Sequence, residues 1–257
     1  EDSAVSACGV GVACLQSRQD SRSVLYDLNG GEAVELGRFD WAVNTYTPGC
    51  VVLSGSDDPD SPYTLIDLAS GESIGQRRDT DYRSGNVAVL TTDNILKVYD
   101  GTTGALLTDV EAAPVEEAQY ISVTALPDGY ALLQYDDENY NTIAIQTYGG
   151  EGLLWSSAGE AQQYTYASYL TSTASGPLLT ACRDSRDGSS LYDVLDMEGN
   201  LLLRRLGSCY SPDDLPDDCF IARQGFDYGL MDSTGQWLYR ESIFSSPSDE
   251  AGGGYLY

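Results

Sequence analysis

The sequence contains no histidine and little positive charge. Lys and Arg together number 13 against 40 Asp and Glu, which gives a formal net charge of −27. A chain this acidic is repelled by nucleic-acid phosphates and by anionic lipid surfaces, so we expect no nucleic-acid partner. Without histidine, the Ser-His-Asp and Cys-His nucleophile systems and His-ligated zinc are all excluded.

Long hydrophobic runs are also missing. No apolar stretch approaches the roughly 18–20 residues that span a bilayer, which predicts no membrane insertion within this segment. The 257 residues are 42% hydrophobic, a composition typical of a globular protein, and we interpret residues 1–257 as a single domain. Because the sequence begins with Glu1 rather than Met, we expect any targeting segment to lie upstream.

Cysteine is present in an even number. There are six cysteines, and in an acidic, Lys-poor chain this favours an exported protein at the cell surface or in another extracytoplasmic compartment. Cys209 and Cys219 flank a short acidic loop and form a candidate disulfide. Small buried thiols are the alternative interpretation.

An internal repeat is the most informative feature of the chain. A β-prone segment that ends in a turn residue is followed by a glycine and a second apolar segment. This unit recurs six times between residues 27 and 232, every 41 residues on average. The period is close to the roughly 40–45 residues of a four-stranded propeller blade. The first turn residues of the six units are Asp27, Asp67, Asp100, Thr147, Asp196 and Asp232.

The turns explain why Asp and Gly recur in the repeat. Glycine supplies the positive φ that a tight hairpin needs, and an Asp side chain accepts hydrogen bonds from nearby backbone. We therefore interpret the recurring Asp as a residue that fixes the turn rather than as a ligand. Two further short apolar or Tyr-rich runs precede most hairpins, so five of the six units have four strands, and only the first lacks a convincing first strand.

These units predict an all-β fold, a six-bladed β-propeller of four-stranded antiparallel blades. The tail, residues 243–257, contains two short β-prone pieces. We expect one of them to pair with the first unit, so that the N- and C-terminal segments close the ring and hide the sheet edges.

Two units resemble known families. FDYGLMDSTGQWL (residues 226–238) resembles the WG repeat, and ILKVYDGTTGALL (residues 95–107) is similar to a PQQ-like or YVTN-like propeller unit. The resemblance implies a β-propeller, commonly an exported bacterial protein, and it implies little about activity. The sequence offers no counterpart of the quinone site of the quinoprotein dehydrogenases, so we expect no such cofactor.

One acidic loop is a candidate calcium site. Asp137, Asn139 and Asn141 stand at alternating positions, a spacing similar to the opening of an EF-hand loop, where oxygen ligands converge on the ion. The Gly and the distal Glu of that loop are missing. The alternative interpretation is an acidic hairpin loop without a metal.

Aromatic residues in the predicted inner strands are the candidate binding residues. Tyr and Trp offer rigid contact area at recognition surfaces, and a ring of inner strands would line a polar central funnel. The alternative is that each aromatic packs between blades. The candidates are Trp41, Tyr46, Tyr82, Tyr164, Tyr166 and Tyr169.

The function that these features favour is binding. We expect a non-catalytic scaffold that takes a protein, peptide or glycan at one face or in the central funnel, and we nominate no catalytic residue. The alternative is a carbohydrate-active hydrolase or lyase that uses Asp/Glu and Tyr in the funnel. A carboxylate pair at the distance that glycosidases need arises by chance in so acidic a chain.

Overall fold

The fold is built almost entirely of β-strands. The computed structural model describes residues 3–7, 12–17, 23–28, 32, 34–39, 41–42, 50–54, 63–67, 73–83, 85–101, 103, 105–159, 164–184, 190–212 and 215–242. These ranges contain 23 strands and one short 3-10 helix, Pro127–Gly129. The predicted all-β class is confirmed. Within the same ranges, no helix combines the length and apolar character needed to cross a membrane.

Four sheets each contain four strands that follow one another along the chain. The first is β1 (Ser3–Ala7), β2 (Val12–Ser17), β3 (Ser23–Asp27) and β4 (Val34–Phe39). The others are β12 (Tyr120–Ala125), β13 (Ala131–Asp136), β14 (Thr142–Gly149) and β15 (Gly152–Ser156); β16 (Tyr166–Thr173), β17 (Gly176–Asp184), β18 (Ser190–Leu195) and β19 (Leu201–Leu206); and β20 (Ser208–Tyr210), β21 (Cys219–Gln224), β22 (Asp227–Asp232) and β23 (Trp237–Ser242).

A fifth sheet has seven strands because one long strand is shared by two sets of four strands. Its strands are β5 (Trp41–Ala42), β6 (Cys50–Ser54), β7 (Tyr63–Asp67), β8 (Ser73–Arg83), β9 (Asn86–Thr91), β10 (Ile95–Asp100) and β11 (Leu106–Glu111). β8 pairs with β7 through residues 73–77 and with β9 through residues 77–83, and its register shifts between Arg77 and Asp79. Each half of β8 thus completes its own four-stranded meander.

Two details of the predicted propeller differ in the structure. The first sheet already has four strands, because the small, polar segment Ser3–Ala7 forms β1 and pairs with β2. The prediction that the first unit lacks a first strand is therefore wrong. No pairing among the described strands joins the first sheet to the last. The tail expected to make that pairing, residues 243–257, lies outside the described residues.

The recurring Asp fixes the turn between the third and fourth strands of a sheet. Its carboxylate accepts a hydrogen bond from a backbone amide on the far side of the turn, as a turn-fixing Asp does. The predicted role is confirmed at three positions. The donors are the amides of Thr103 to Asp100 (2.9 Å), Asn200 to Asp196 (2.8 Å) and Gln236 to Asp232 (2.9 Å).

Two compact units can be distinguished, and each has its own core. The first comprises Glu1–Tyr166 and Met197–Gly199, and the second comprises Ala167–Asp196 and Asn200–Tyr257. The cores consist of aliphatic and aromatic residues, most of them from the middle strands of the sheets. They contain Ala88, Leu90, Leu96, Val98, Ala131, Leu133, Tyr135 and Tyr148 in the first unit, and Leu170, Leu178, Val194, Phe220, Ala222 and Met231 in the second.

Turn glycines pack against the last strand of the preceding four-stranded set. Gly199, between β18 and β19, has a φ of +76°, and a Cβ there would lie 2.2 Å from the Trp155 ring on β15. Gly235, between β22 and β23, has a φ of +84°, and its Cβ would lie 2.6 Å from Leu203 on β19. Both glycines suit the turn conformation, and Gly199 is also required for close packing, whereas the tip of the flexible Leu203 side chain can move away from Gly235.

A buried ion pair links strands of the second unit. The Asp193 side chain on β18 is 0% exposed and lies 3.1 Å from the Arg183 guanidinium on β17. Its other oxygen accepts a hydrogen bond of 2.8 Å from the backbone amide of Arg205 on β19. Because each partner offsets the cost of burying the carboxylate, loss of one would leave an uncompensated charge.

Candidate functional site

The predicted aromatic residues that the structure describes lie in different strands or beside them. Trp41 lies in β5 and Tyr82 in β8, whereas Tyr46 lies outside the described residues. Tyr166 is the first residue of β16 and is 50% exposed. Tyr169, further along β16, is half-buried and its hydroxyl lies 3.0 Å from that of Ser172.

Tyr164 has a packing role instead. It is buried, and its ring meets the Trp155 ring edge-on at a centroid distance of 6.3 Å. This is the favoured geometry for an aromatic pair inside a protein. The Tyr164 ring is therefore enclosed by packing and offers little surface to a ligand.

The candidate calcium loop is a hydrogen-bonded hairpin. Asp137 Oδ1 accepts hydrogen bonds from the backbone amides of Asn139 (2.8 Å) and Asn141 (2.9 Å). The side-chain amide of Asn141 also donates to the Asp137 carboxylate, at 3.0 Å to Oδ2. Calcium binding would have to replace these bonds. No group of three or more His, Cys, Asp or Glu residues that could hold a metal occurs among the described residues, and calcium binding stays a prediction.

Two turn carboxylates have lowered pKa values. Hydrogen bonding from the Asn141 side chain is the largest cause for Asp137, and hydrogen bonding from the Thr234 side chain is the largest cause for Asp232. A hydrogen bond donated to the charged form favours ionisation. Both residues are thus held as carboxylates, the opposite of what a general acid needs.

The cysteines of the candidate disulfide lie too far apart to bond. Cys209 stands opposite Ala222 in the pairing of β20 with β21, and Cys219 lies three residues before Ala222 on β21. Three residues of strand span about 10 Å, beyond the Cα separation of about 7 Å that a disulfide tolerates. Both thiols are free, so the structure does not contain the predicted bridge. Burial raises the pKa of the Cys209 thiol to about 12.

A tyrosine takes the place of glycine in the Asp137 hairpin. The turn DENYN (residues 137–141) matches DMEGN (residues 196–200) and DSTGQ (residues 232–236), so Tyr140 aligns with Gly199 and Gly235. Tyr140 adopts a φ of +62°, in the left-handed region that a bulky residue enters only at an energetic cost. Strain of this kind is concentrated at functional sites.

Tyr140 stacks on Tyr120 at the surface. The ring centroids are 4.4 Å apart and the rings are within 12° of parallel. Tyr120, the first residue of β12, is 44% exposed and Tyr140 is 71% exposed. Hydrogen bonding to Tyr140 raises the pKa of the Tyr120 phenol. We call Tyr120 and Tyr140 the tyrosine platform.

The surroundings of the tyrosine platform are polar and acidic. Asp136 lies opposite Tyr120 across β12 and β13, and its carboxylate accepts a hydrogen bond of 2.9 Å from Thr142. The Thr142 hydroxyl also lies 2.8 Å from the carbonyl of Thr165, the residue before β16. Residues 98–182 contain 11 Asp and Glu and no Lys or Arg. The platform is therefore part of a long segment without a positive side chain.

The sequence alone does not point to the tyrosine platform. Tyr120 begins one of the Tyr-rich runs that precede the hairpins, and Tyr140 lies within the candidate calcium loop, 20 residues away. The available signal was the alignment of the three turns, which shows a tyrosine where two of them have glycine. The stacking partner could not be found this way, because it depends on the pairing of β12 with β13.

The fold and the site define an all-β protein of repeated four-stranded antiparallel sheets that carries an exposed aromatic pair. The chain belongs to the family described as domain of unknown function (DUF5046), which matches residues 1–250. A comparison with curated proteins gave no match.

Proposed function

We propose that the chain is a six-bladed β-propeller that acts as an exported, non-catalytic scaffold and binds a protein, peptide or glycan at one face. The order of the strands supports six blades. Four sheets have four strands each, and the seven-stranded sheet resolves into two further meanders that share β8. Six blades of this kind agree with the mean repeat of 41 residues.

Contacts between successive four-stranded sets support radial packing. Gly199 packs on Trp155 of the preceding set, and Gly235 packs on Leu203 in the same relation. Asp81 on β8 accepts a hydrogen bond of 2.9 Å from the amide of Ala125 on β12. These three contacts tie residues of successive sets together, as neighbouring blades of a propeller are tied.

The tyrosine platform is the observation that carries the binding function. Two large rings stay exposed together, and one of them occupies a strained backbone position where glycine is the easier choice. A folded chain gains nothing in its core from such an arrangement. Exposed aromatic anchors are the feature that recognition surfaces share.

Catalysis by a carboxylate pair is less well supported. A carbohydrate-active hydrolase needs one carboxylic acid whose pKa is raised, so that it is protonated at working pH. The pKa values of Asp137 and Asp232 are shifted in the opposite direction. Turn stabilisation accounts for both shifts.

A binding screen tests the proposed function. The purified chain, labelled with a fluorophore, is applied to arrays of peptides and of glycans, and positive ligands are titrated in solution. Saturable binding without turnover of the ligand is expected. Failure to bind any class of ligand, or release of reducing sugar ends from a glycan, would contradict the proposal. Export rests on the acidic composition and is tested by fractionating cells that express the natural gene.

A further inference from the structure

We propose that the tyrosine platform binds the cationic side chains of a basic peptide segment on a partner protein. This inference rests on the proposed function and names the ligand class of that site. Tyr140 is 71% exposed although one face of its ring lies against Tyr120. The opposite face is open, and it presents the negative side of the aromatic quadrupole, which attracts Lys and Arg.

The charge around the platform selects a cation over a neutral sugar. Asp136 lies opposite Tyr120 in the sheet, and Asp137 and Glu138 belong to the hairpin that carries Tyr140. The hydrogen bonds that Asp137 accepts hold it in its charged form. With no Lys or Arg in residues 98–182, no cation of that segment competes for the ring face. Sugar stacking would not require this excess of negative charge, whereas Arg or Lys binding benefits from it.

Because Tyr140 has a strained backbone conformation, glycine at this position removes the ring and still suits the fold. Tyr140→Gly suits the φ of +62° and keeps the backbone amide that donates to the Asp137 carbonyl at 3.1 Å. Relief of strain opposes loss of the ring stack, so Tm is expected to stay within about 3 °C of the wild-type value. Any loss of binding in this variant is therefore not caused by unfolding.

The experiment measures fluorescence anisotropy of a labelled peptide with four Arg residues spaced by Gly-Ser. Matched peptides carry citrulline or Glu instead of Arg, and a neutral hexasaccharide is tested by calorimetry. The wild-type chain should bind the Arg peptide, with affinity that falls as salt rises. Tyr140→Gly and Tyr120→Ala should each weaken binding by about tenfold.

A matched control comes from the second exposed tyrosine pair. Tyr210 and Tyr228 are 47% and 40% exposed, and their hydroxyls lie 3.0 Å apart, but Tyr228 stands between Arg223 and Glu241 in the strand register. Tyr228→Ala should leave the affinity for the Arg peptide unchanged within about twofold, because the charges of Arg223 and Glu241 offset each other and the pair lacks the excess of negative charge around the platform.

Several results would overturn the inference. Equal affinity of Tyr140→Gly and the wild-type chain for the Arg peptide would place the basic ligand elsewhere and leave the scaffold function standing. Equal affinity for the Arg and citrulline peptides would remove the charge argument. Binding of the hexasaccharide alone would assign the platform to glycans. Absence of binding to all four probes would refute the inference, while the broader array decides the proposed function.

Discussion

Replacing Gly199 by alanine tests the packing of successive strand sets. The substitution has two costs. A left-handed φ of +76° costs an alanine about 1–2 kcal/mol. The new Cβ would also lie 2.2 Å from the Trp155 ring, and overpacking of this kind costs about 1–3 kcal/mol. We expect Gly199→Ala to lower the free energy of unfolding by about 2–5 kcal/mol.

Gly159→Ala is the matched control for the cost of placing alanine in a left-handed backbone conformation. Gly159 has a φ of +78°, nearly that of Gly199, and a Cβ there would meet no atom of the described residues within 4 Å. Only the conformational cost of about 1–2 kcal/mol remains. Urea unfolding followed by tryptophan fluorescence and by circular dichroism measures both variants. Equal destabilisation of the two, within about 0.5 kcal/mol, would show that the Trp155 contact is not present and would refute the packing argument.

Three further predictions concern turns, the buried charge and the thiols. The lowered pKa of Asp232 means that its contribution to stability is present above the unfolded pKa of about 3.9 and is lost as pH falls through the folded value. Asp232→Asn should therefore flatten the acid side of the stability–pH profile measured by urea unfolding; a profile unchanged from wild type would contradict this. Asp193→Ala should lower the free energy of unfolding by about 2–3 kcal/mol, because the half-buried Arg183 guanidinium loses its partner and the Arg205 amide loses its acceptor. A loss below about 1 kcal/mol, the value of an exposed pair, would contradict the burial. Mass spectrometry after alkylation without reductant should find Cys209 and Cys219 both modified in denaturant, and Cys209 protected in the native state because burial raises its pKa to about 12. Detection of a Cys209–Cys219 disulfide peptide would overturn the register of β20 with β21.

The hairpins of this fold could be predicted because their signals are local. A carboxylate and a glycine a few residues apart determine the turn, and the structure shows the expected hydrogen bonds at Asp100, Asp196 and Asp232. The repeat of four strands follows, since antiparallel meanders need only short connections. The all-β class and the sets of four strands thus depend on information that each segment carries in itself.

The sequence does not predict the features that depend on pairing between distant segments. The distance between Cys209 and Cys219 follows from the register of β20 with β21, which the loop between them does not determine. The small residues of β1 carry no hydrophobic alternation, so the segment gave no strand signal. The platform brings Tyr120 beside Tyr140 through the pairing of β12 with β13, and a single sequence contains no record of that pairing.

A crystal structure of the chain tests the six-bladed propeller most directly. We expect six four-stranded sheets arranged around one axis, with β8 crossing from the second sheet to the third, and with Gly199 and Gly235 packed on Trp155 and Leu203. Sheets arranged in an open row, or two separate sandwiches without a common axis, would contradict it.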